Sequence, residues 1–242
     1  MGGDDDLQLL ERWQAGVEAA GAELFRRYYP AILRFFRSKV GPQAPDLVQR
    51  TFLGCLEARP RIREGANFRS FLFGVARNVL LMHFRGSRRE RERIDFTERS
   101  AEDLGASPVS LLAREREAQL LLQALRSIPL EYQIVLELYY WEGLNSREIA
   151  DIDGTPEPTI RTRLRRAKLR LEARLGELES NPQVVQATAT NLEGWARRLR
   201  EQLDRCTASA ATATYRPTSL GLAAAGVVAR RLQMPDLRPP RA

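Results

Sequence analysis

Within TPEPTIRTRLRRAKLRL, residues 155–171, the groups suited to chemistry are guanidiniums and hydroxyls: Arg161, Arg165 and Arg166 with Thr159 and Thr162. A guanidinium can grip the O6 and N7 atoms of guanine bidentately or hold a phosphate, and a hydroxyl adds a phosphate contact. On a helix advancing about 100° per residue, Ile160, Leu164, Ala167, Leu171 and Leu175 fall within an arc of roughly 80°. Arg161, Thr162, Arg165 and Arg166 lie away from that arc, with Thr159 between. One face can pack while the other meets a polyanion. A merely solvated basic helix shows the same split, so its surroundings must decide.

Those surroundings are punctuated. In NSREIADIDG, Asn145 and Glu148 have the spacing of a capping box, and Gly154 is a helix stop. Thr155 can cap the following helix and Pro156 suits its first turn. Ile149, Ala150 and Ile152 are spaced to pack on the apolar stripe, with Ala150 allowing a close crossing. Helix, tight turn, helix is the order of a helix-turn-helix, whose second helix enters the major groove with its N-terminal part leading.

A second basic concentration, ARNVLLMHFRGSRRERER, follows Phe68, Phe71 and Phe73 and contains Phe84. Aromatic rings can stack on unpaired bases while arginines track a strand, but by themselves these phenylalanines read as core. The net charge of +7 over 242 residues favours polyanionic partners, whether nucleic acid, an anionic membrane surface or an acidic protein. Catalytic chemistry finds little footing. His83 is the single histidine, and no carboxylate cluster with metal spacing or glycine-rich phosphate loop is present. Cys55 and Cys206 form neither a disulfide framework nor a zinc spacing. No cofactor and no enzymatic activity are expected. The acidic start, MGGDDDLQLLERWQ, is not a signal peptide, and no run of 18 apolar residues suggests membrane insertion. A cytoplasmic location is the expectation.

The positioning elements read as helices throughout. Leu24, Tyr28, Ile32 and Phe35 recur at helical spacing up to the break at Gly41-Pro42. A second helix begins near Pro45, and a third runs from Asn67, a suitable N-cap, to Phe84. The polar stretch 87–110 reads as a linker, after which Leu121, Leu122, Leu125 and Ile128 resume the periodicity. Pro129 starts another helix. The expected fold is all-α: two small helical domains, 7–95 and 115–178, joined by a flexible linker, 96–114. An extension of unknown role, 179–242, follows. It includes an amphipathic stripe of Leu192, Trp195, Leu199 and Leu203 and a low-complexity, disordered end.

Taken together, the two segments resemble the extracytoplasmic-function (ECF) sigma factors of bacterial RNA polymerase. DLVQRTFLGCLE is similar to the family's D-x-x-Q-x-x-F helix, and FRSFLFGVARNVLLMHFR to its F-R-x-W-L-x-x-I-A-x-N stretch. The run from ALRSIPLEYQ to RRAKLRL resembles the L-P, E-G-x-S-x-x-E-I-A and T-V-x-S-R-L-x-R-A-R pattern of region 4. The resemblance covers about three fifths of the chain. It implies that Asp46, Gln49, Phe52 and Leu53 bind the clamp helices of the polymerase largest subunit. It also implies that Phe68, Phe71, Asn78, Arg85 and Arg88 open and read the −10 element. Thr159, Arg161, Thr162, Arg165 and Arg166 would read the −35 element. Core RNA polymerase, promoter DNA and an anti-sigma protein are the implied partners.

Four residues depart from the family pattern: Phe71 for tryptophan, Met82 for aspartate, Pro158 for a small residue, and Asp153 for an apolar residue before Gly154. The last predicts a differently packed turn. The rival expectation is a dimeric helix-turn-helix regulator that binds duplex DNA without polymerase.

Overall fold

The computed structural model describes residues 3–63, 65, 67–86, 95–104, 116–181, 183, 185, 191–194, 197 and 201. Among them every regular element is helical, as the absence of period-two alternation predicted; Ser100 and Pro129 form an isolated bridge. Four helices make the N-terminal domain: α1 (Gly3–Gln14), α2 (Glu18–Val40), α3 (Ala44–Ala58) and α4 (Phe68–Gly86). Gly41, at φ 59°, ends α2, and Pro45 lies in the first turn of α3. Asn67 precedes α4 and its side-chain oxygen accepts the Ser70 amide at 3.2 Å.

Helix α1 was not foreseen, because its apolar residues make sense only against a partner. Leu9, Leu10 and Trp13 are buried on α2, Trp13 completely. The indole lies over Gly21, where a Cβ would fall 2.3 Å from its Nε1. A stack of rings follows: Trp13 meets Phe25 edge-on at 5.3 Å, and Phe25 stacks on Phe52 at 4.6 Å. Such aromatic pairs add directional attraction to their large apolar burial.

The C-terminal domain contains α5 (Arg116–Ser127), α6 (Leu130–Leu136), α7 (Ser146–Asp153) and α8 (Glu157–Leu178). A π-helical turn, Glu137–Trp141, continues α6. The linker is not uniform. At its centre, residues 95–104 lie on the start of α6, where the Leu130 and Glu131 amides donate to the carbonyls of Arg99 and Phe96. Phe96 is buried there, with the Arg85 guanidinium 5.3 Å from its ring.

The two domains pack together, and the contact is largely ionic. Lys39 on α2 pairs with Glu137 in the π turn, and both are buried. Beside them Arg34 donates to Glu142 at 2.7 Å, and Arg126 of α5 donates to the Ser38 carbonyl at 2.9 Å. Burial pushes the Lys39 ammonium down and the Glu137 carboxyl up, each partly offset by the other's charge. Helices α4 and α7 also meet: a Cβ added at Gly74 would lie 3.9 Å from the Ile152 carbonyl.

Candidate nucleic-acid interface

The helix-turn-helix is built from local signals. The Asn145 side-chain oxygen accepts the Glu148 amide at 3.0 Å, and Glu148 accepts the Asn145 amide at 2.8 Å, completing the box. Gly154 takes the left-handed conformation at φ 69° and closes α7 on the Ala150 carbonyl. Thr155 does not cap α8. Its hydroxyl donates instead to Asp153 at 3.0 Å, while Pro156 occupies the cap position. Pro158 falls within the first turn of α8, where the missing amide would have had no helical partner.

Helix α8 divides as its spacing predicted. Ile160, Ala167, Leu171 and Leu175 are buried, and Leu164 is half-buried. Thr159, Arg161, Thr162, Arg165 and Arg166 are all exposed. Arg161 pairs with Glu157 at 2.6 Å, an exposed contact that phosphate can displace. The Thr162 hydroxyl donates to the Pro158 carbonyl at 3.0 Å and keeps its lone pairs outward. Arg165 and Arg166 have no ion-pair partner among the described residues.

Asp153, the departure before the turn, lies between two domains. It holds Arg163 of α8 at 2.7 Å and Arg77 of α4 at 2.6 Å. Glu131 stands behind it, 3.2 Å from Arg163 and 3.6 Å from Arg77. A buried aspartate here is tolerated because two guanidiniums and the Thr155 hydroxyl surround it.

On α4 the candidate residues separate. Phe68 is 2% exposed within the cluster of Trp13, Phe25, Tyr28 and Phe71, so in this arrangement its ring is core. Phe71 and Asn78 are half-buried, and Arg85 is exposed. Arg88 lies outside the described residues, as do Trp195, Leu199, Leu203 and the chain end. The aromatic-plus-arginine pattern therefore mixes packing residues with surface ones, which spacing alone does not separate.

Helix α3 presents a different face. Asp46, Gln49, Arg50 and Leu56 are exposed and Leu53 is half-buried, in one row along the helix. Phe52, placed in that group by resemblance, turns inward onto Phe25. Leu56, at 41% exposure, was missed; an exposed leucine one turn beyond Leu53 was the available signal. His83 sits near this row, where burial first, and then the Arg50 charge, hold its imidazole below the usual range.

Among the described residues no cluster of three or more His, Cys, Asp or Glu can hold a metal, and no helix is long and apolar enough to cross a membrane.

Residues 24–90 match the family Sigma-70 region 2, and residues 118–171 match Sigma-70, region 4. RNA polymerase sigma factor CarQ of Myxococcus xanthus is 31% identical over 175 residues, 70% of this chain and 97% of that protein. ECF RNA polymerase sigma factor BldN of Streptomyces coelicolor is 31% identical over 172 residues. That match takes in 70% of this chain and 65% of BldN, just under two thirds of the longer relative. Among solved structures, CnrH in complex with the cytosolic domain of CnrY has a TM-score of 0.52 at 22% identity, covering 71% of this chain and 97% of that one. The sigma factor RpoE of Bartonella quintana, in complex with the anti-sigma factor NepR, has a TM-score of 0.50 at 22% identity, covering 64% and 96%. At such identities the likeness concerns the fold.

Proposed function

Since this chain belongs to the ECF sigma factors of RNA polymerase, we propose that it binds core polymerase and directs initiation at promoters carrying its own −35 and −10 elements. Factors of this family initiate transcription without being enzymes. The observation that carries the proposal is the exposed row Thr159, Arg161, Thr162, Arg165 and Arg166, presented by a helix whose other face is buried. That row reads the −35 element in the major groove: guanidiniums take base edges, while hydroxyls and the remaining arginines hold phosphates.

Unpaired −10 bases are taken at the α4 end by Phe71, Asn78 and Arg85, with Arg88 beyond it. Arg85 already lies over the Phe96 ring, and a base could take that ring's place. The row Asp46, Gln49, Leu53 and Leu56 meets the polymerase clamp, with Phe52 supporting it from inside. Phosphate contacts supply most of the affinity and make it fall with salt. The protein works in the cytoplasm, where its polymerase and promoters are. An anti-sigma protein is a fitting partner, by analogy with relatives solved in such complexes.

The test is transcription in vitro with core polymerase on a promoter library. Selective initiation, with an enriched −35 and −10 pair, is the expected result. Failure to bind core enzyme, together with tight dimeric binding to duplex DNA, would instead make the chain a helix-turn-helix regulator.

A further inference from the structure

Resting on the sigma-factor function proposed above, we infer that the two domains hold each other in a closed resting state. Arg77 and Asp153 form the latch at its rim, and promoter engagement requires this latch to open. The interface joins ion pairs from four places. Arg34 meets Glu142 and Lys39 meets Glu137 in its buried centre. Arg69 donates to the Glu142 carbonyl at one side, and Arg77 meets Asp153 at the other.

Distance makes closure incompatible with promoter engagement. Elements centred 25 base pairs apart are separated by about 85 Å of duplex, at about 3.4 Å per pair. In the closed state one carboxylate, Asp153, touches both Arg77, the neighbour of Asn78, and Arg163 of the recognition helix. The −10 and −35 residues are thus held side by side through a single side chain. No duplex that is continuous between the two elements can be read by both domains in that arrangement.

The chemistry of the interface suits opening. A buried ion pair is close to break-even against its separated, hydrated partners, so it fixes registry while adding little adhesion. Parting the domains returns these charges to water instead of baring a large apolar surface, which would invite aggregation. Once released, the Arg69 and Arg77 guanidiniums have phosphates as their natural new partners. DNA therefore binds the open form better and shifts the balance towards it. Asp153, the residue that departs from the family pattern, is what draws Arg77 to the recognition helix.

The test joins the domains reversibly at a point that leaves the latch intact. Asn67 and Glu148 lie 3.4 Å apart across the interface on exposed side chains. The full-length Asn67→Cys/Glu148→Cys chain also carries Cys206→Ser, while Cys55 is fully buried. It is treated with a short reducible bismaleimide. Intramolecular cross-linking in the free protein is expected, slowed several-fold by adding Arg77→Gln. The cross-linked protein should lose promoter-directed transcription by about tenfold or more and regain it on reduction. Absence of the cross-link, a rate unmoved by Arg77→Gln, or full transcription while linked would each overturn the latch. Absence of transcription from the unlinked control, with wild-type protein also inactive, would instead overturn the sigma function, and the cross-linking rates would still judge closure.

Discussion

Lys39 and Glu137 stand 98 residues apart in sequence and form an ion pair whose side chains are 0% and 2% exposed. Lys39 also donates to the Phe35 carbonyl at 2.7 Å, and Glu137 accepts from Ser38 at 3.0 Å and Gln133 at 2.8 Å. Glu137→Leu alone should cost about 3–5 kcal/mol, since it strands a buried ammonium. Adding Lys39→Met should recover most of that loss. Urea denaturation of the two variants checks this, and equal losses would show that the ammonium is not the cause.

Arg165 is exposed and has no ion-pair partner among the described residues. Arg165→Ala should weaken −35 recognition by about 1–3 kcal/mol if it contacts a base, or reduce the salt dependence by about one ion if it contacts a phosphate. Core polymerase binding should be unchanged. Anisotropy titrations at several salt concentrations separate the outcomes, and parallel loss of polymerase binding would refute the division of faces.

Leu56 extends the row of Asp46, Gln49 and Leu53. Leu56→Glu should reduce core polymerase affinity at least several-fold, leaving stability nearly unchanged because the residue is already 41% exposed. Binding to immobilised core enzyme and a thermal melt give the two readings.

Gly21 faces the Trp13 ring, so Gly21→Ala sets a methyl 2.3 Å from Nε1. Overpacking of this kind costs about 1–3 kcal/mol, which outweighs the gain alanine brings to a helix interior. A lower denaturation midpoint is expected. Trp13→Phe in the same background should recover part of it.

His83 is the only histidine in the chain. Its folded pKa lies below the ordinary 6.5 because burial, and then Arg50, oppose the imidazolium. The unfolded chain therefore binds a proton first as the pH falls. The stability contributed by His83 is complete above pH 6.5 and is lost as the pH drops through the lower, folded pKa. Melting temperature should decline from pH 7 towards pH 5, with a shallower decline in His83→Gln.

Local signals carried most of what was legible in the sequence. The capping box, the glycine stop, the divided face of α8 and the breaks at Gly41 and Pro129 each depend on residues within a few positions of one another. Thr155 misled because Asp153 competes for its hydroxyl. Phe68 and Phe52 look like surface anchors by motif, but the ring of Phe25 draws both inward. The interdomain pairs were beyond reach of pattern: Arg34, Lys39, Glu137 and Glu142 are ordinary charged residues until the fold joins positions about a hundred apart. Asp153 was the exception, visible as an anomaly before its partners were known.

The strip 95–104 docked on α6 has a mechanical consequence. While it stays docked, the connection between Gly86 and Asp95 is nine peptide steps, which span at most about 32 Å when fully drawn out. Two promoter elements about 85 Å apart lie far outside that reach. Phe96 must therefore leave its pocket and the Leu130 and Glu131 amides must give up their carbonyls before the tether is long enough. The reel of chain held by one phenylalanine sets how far this protein can stretch along DNA.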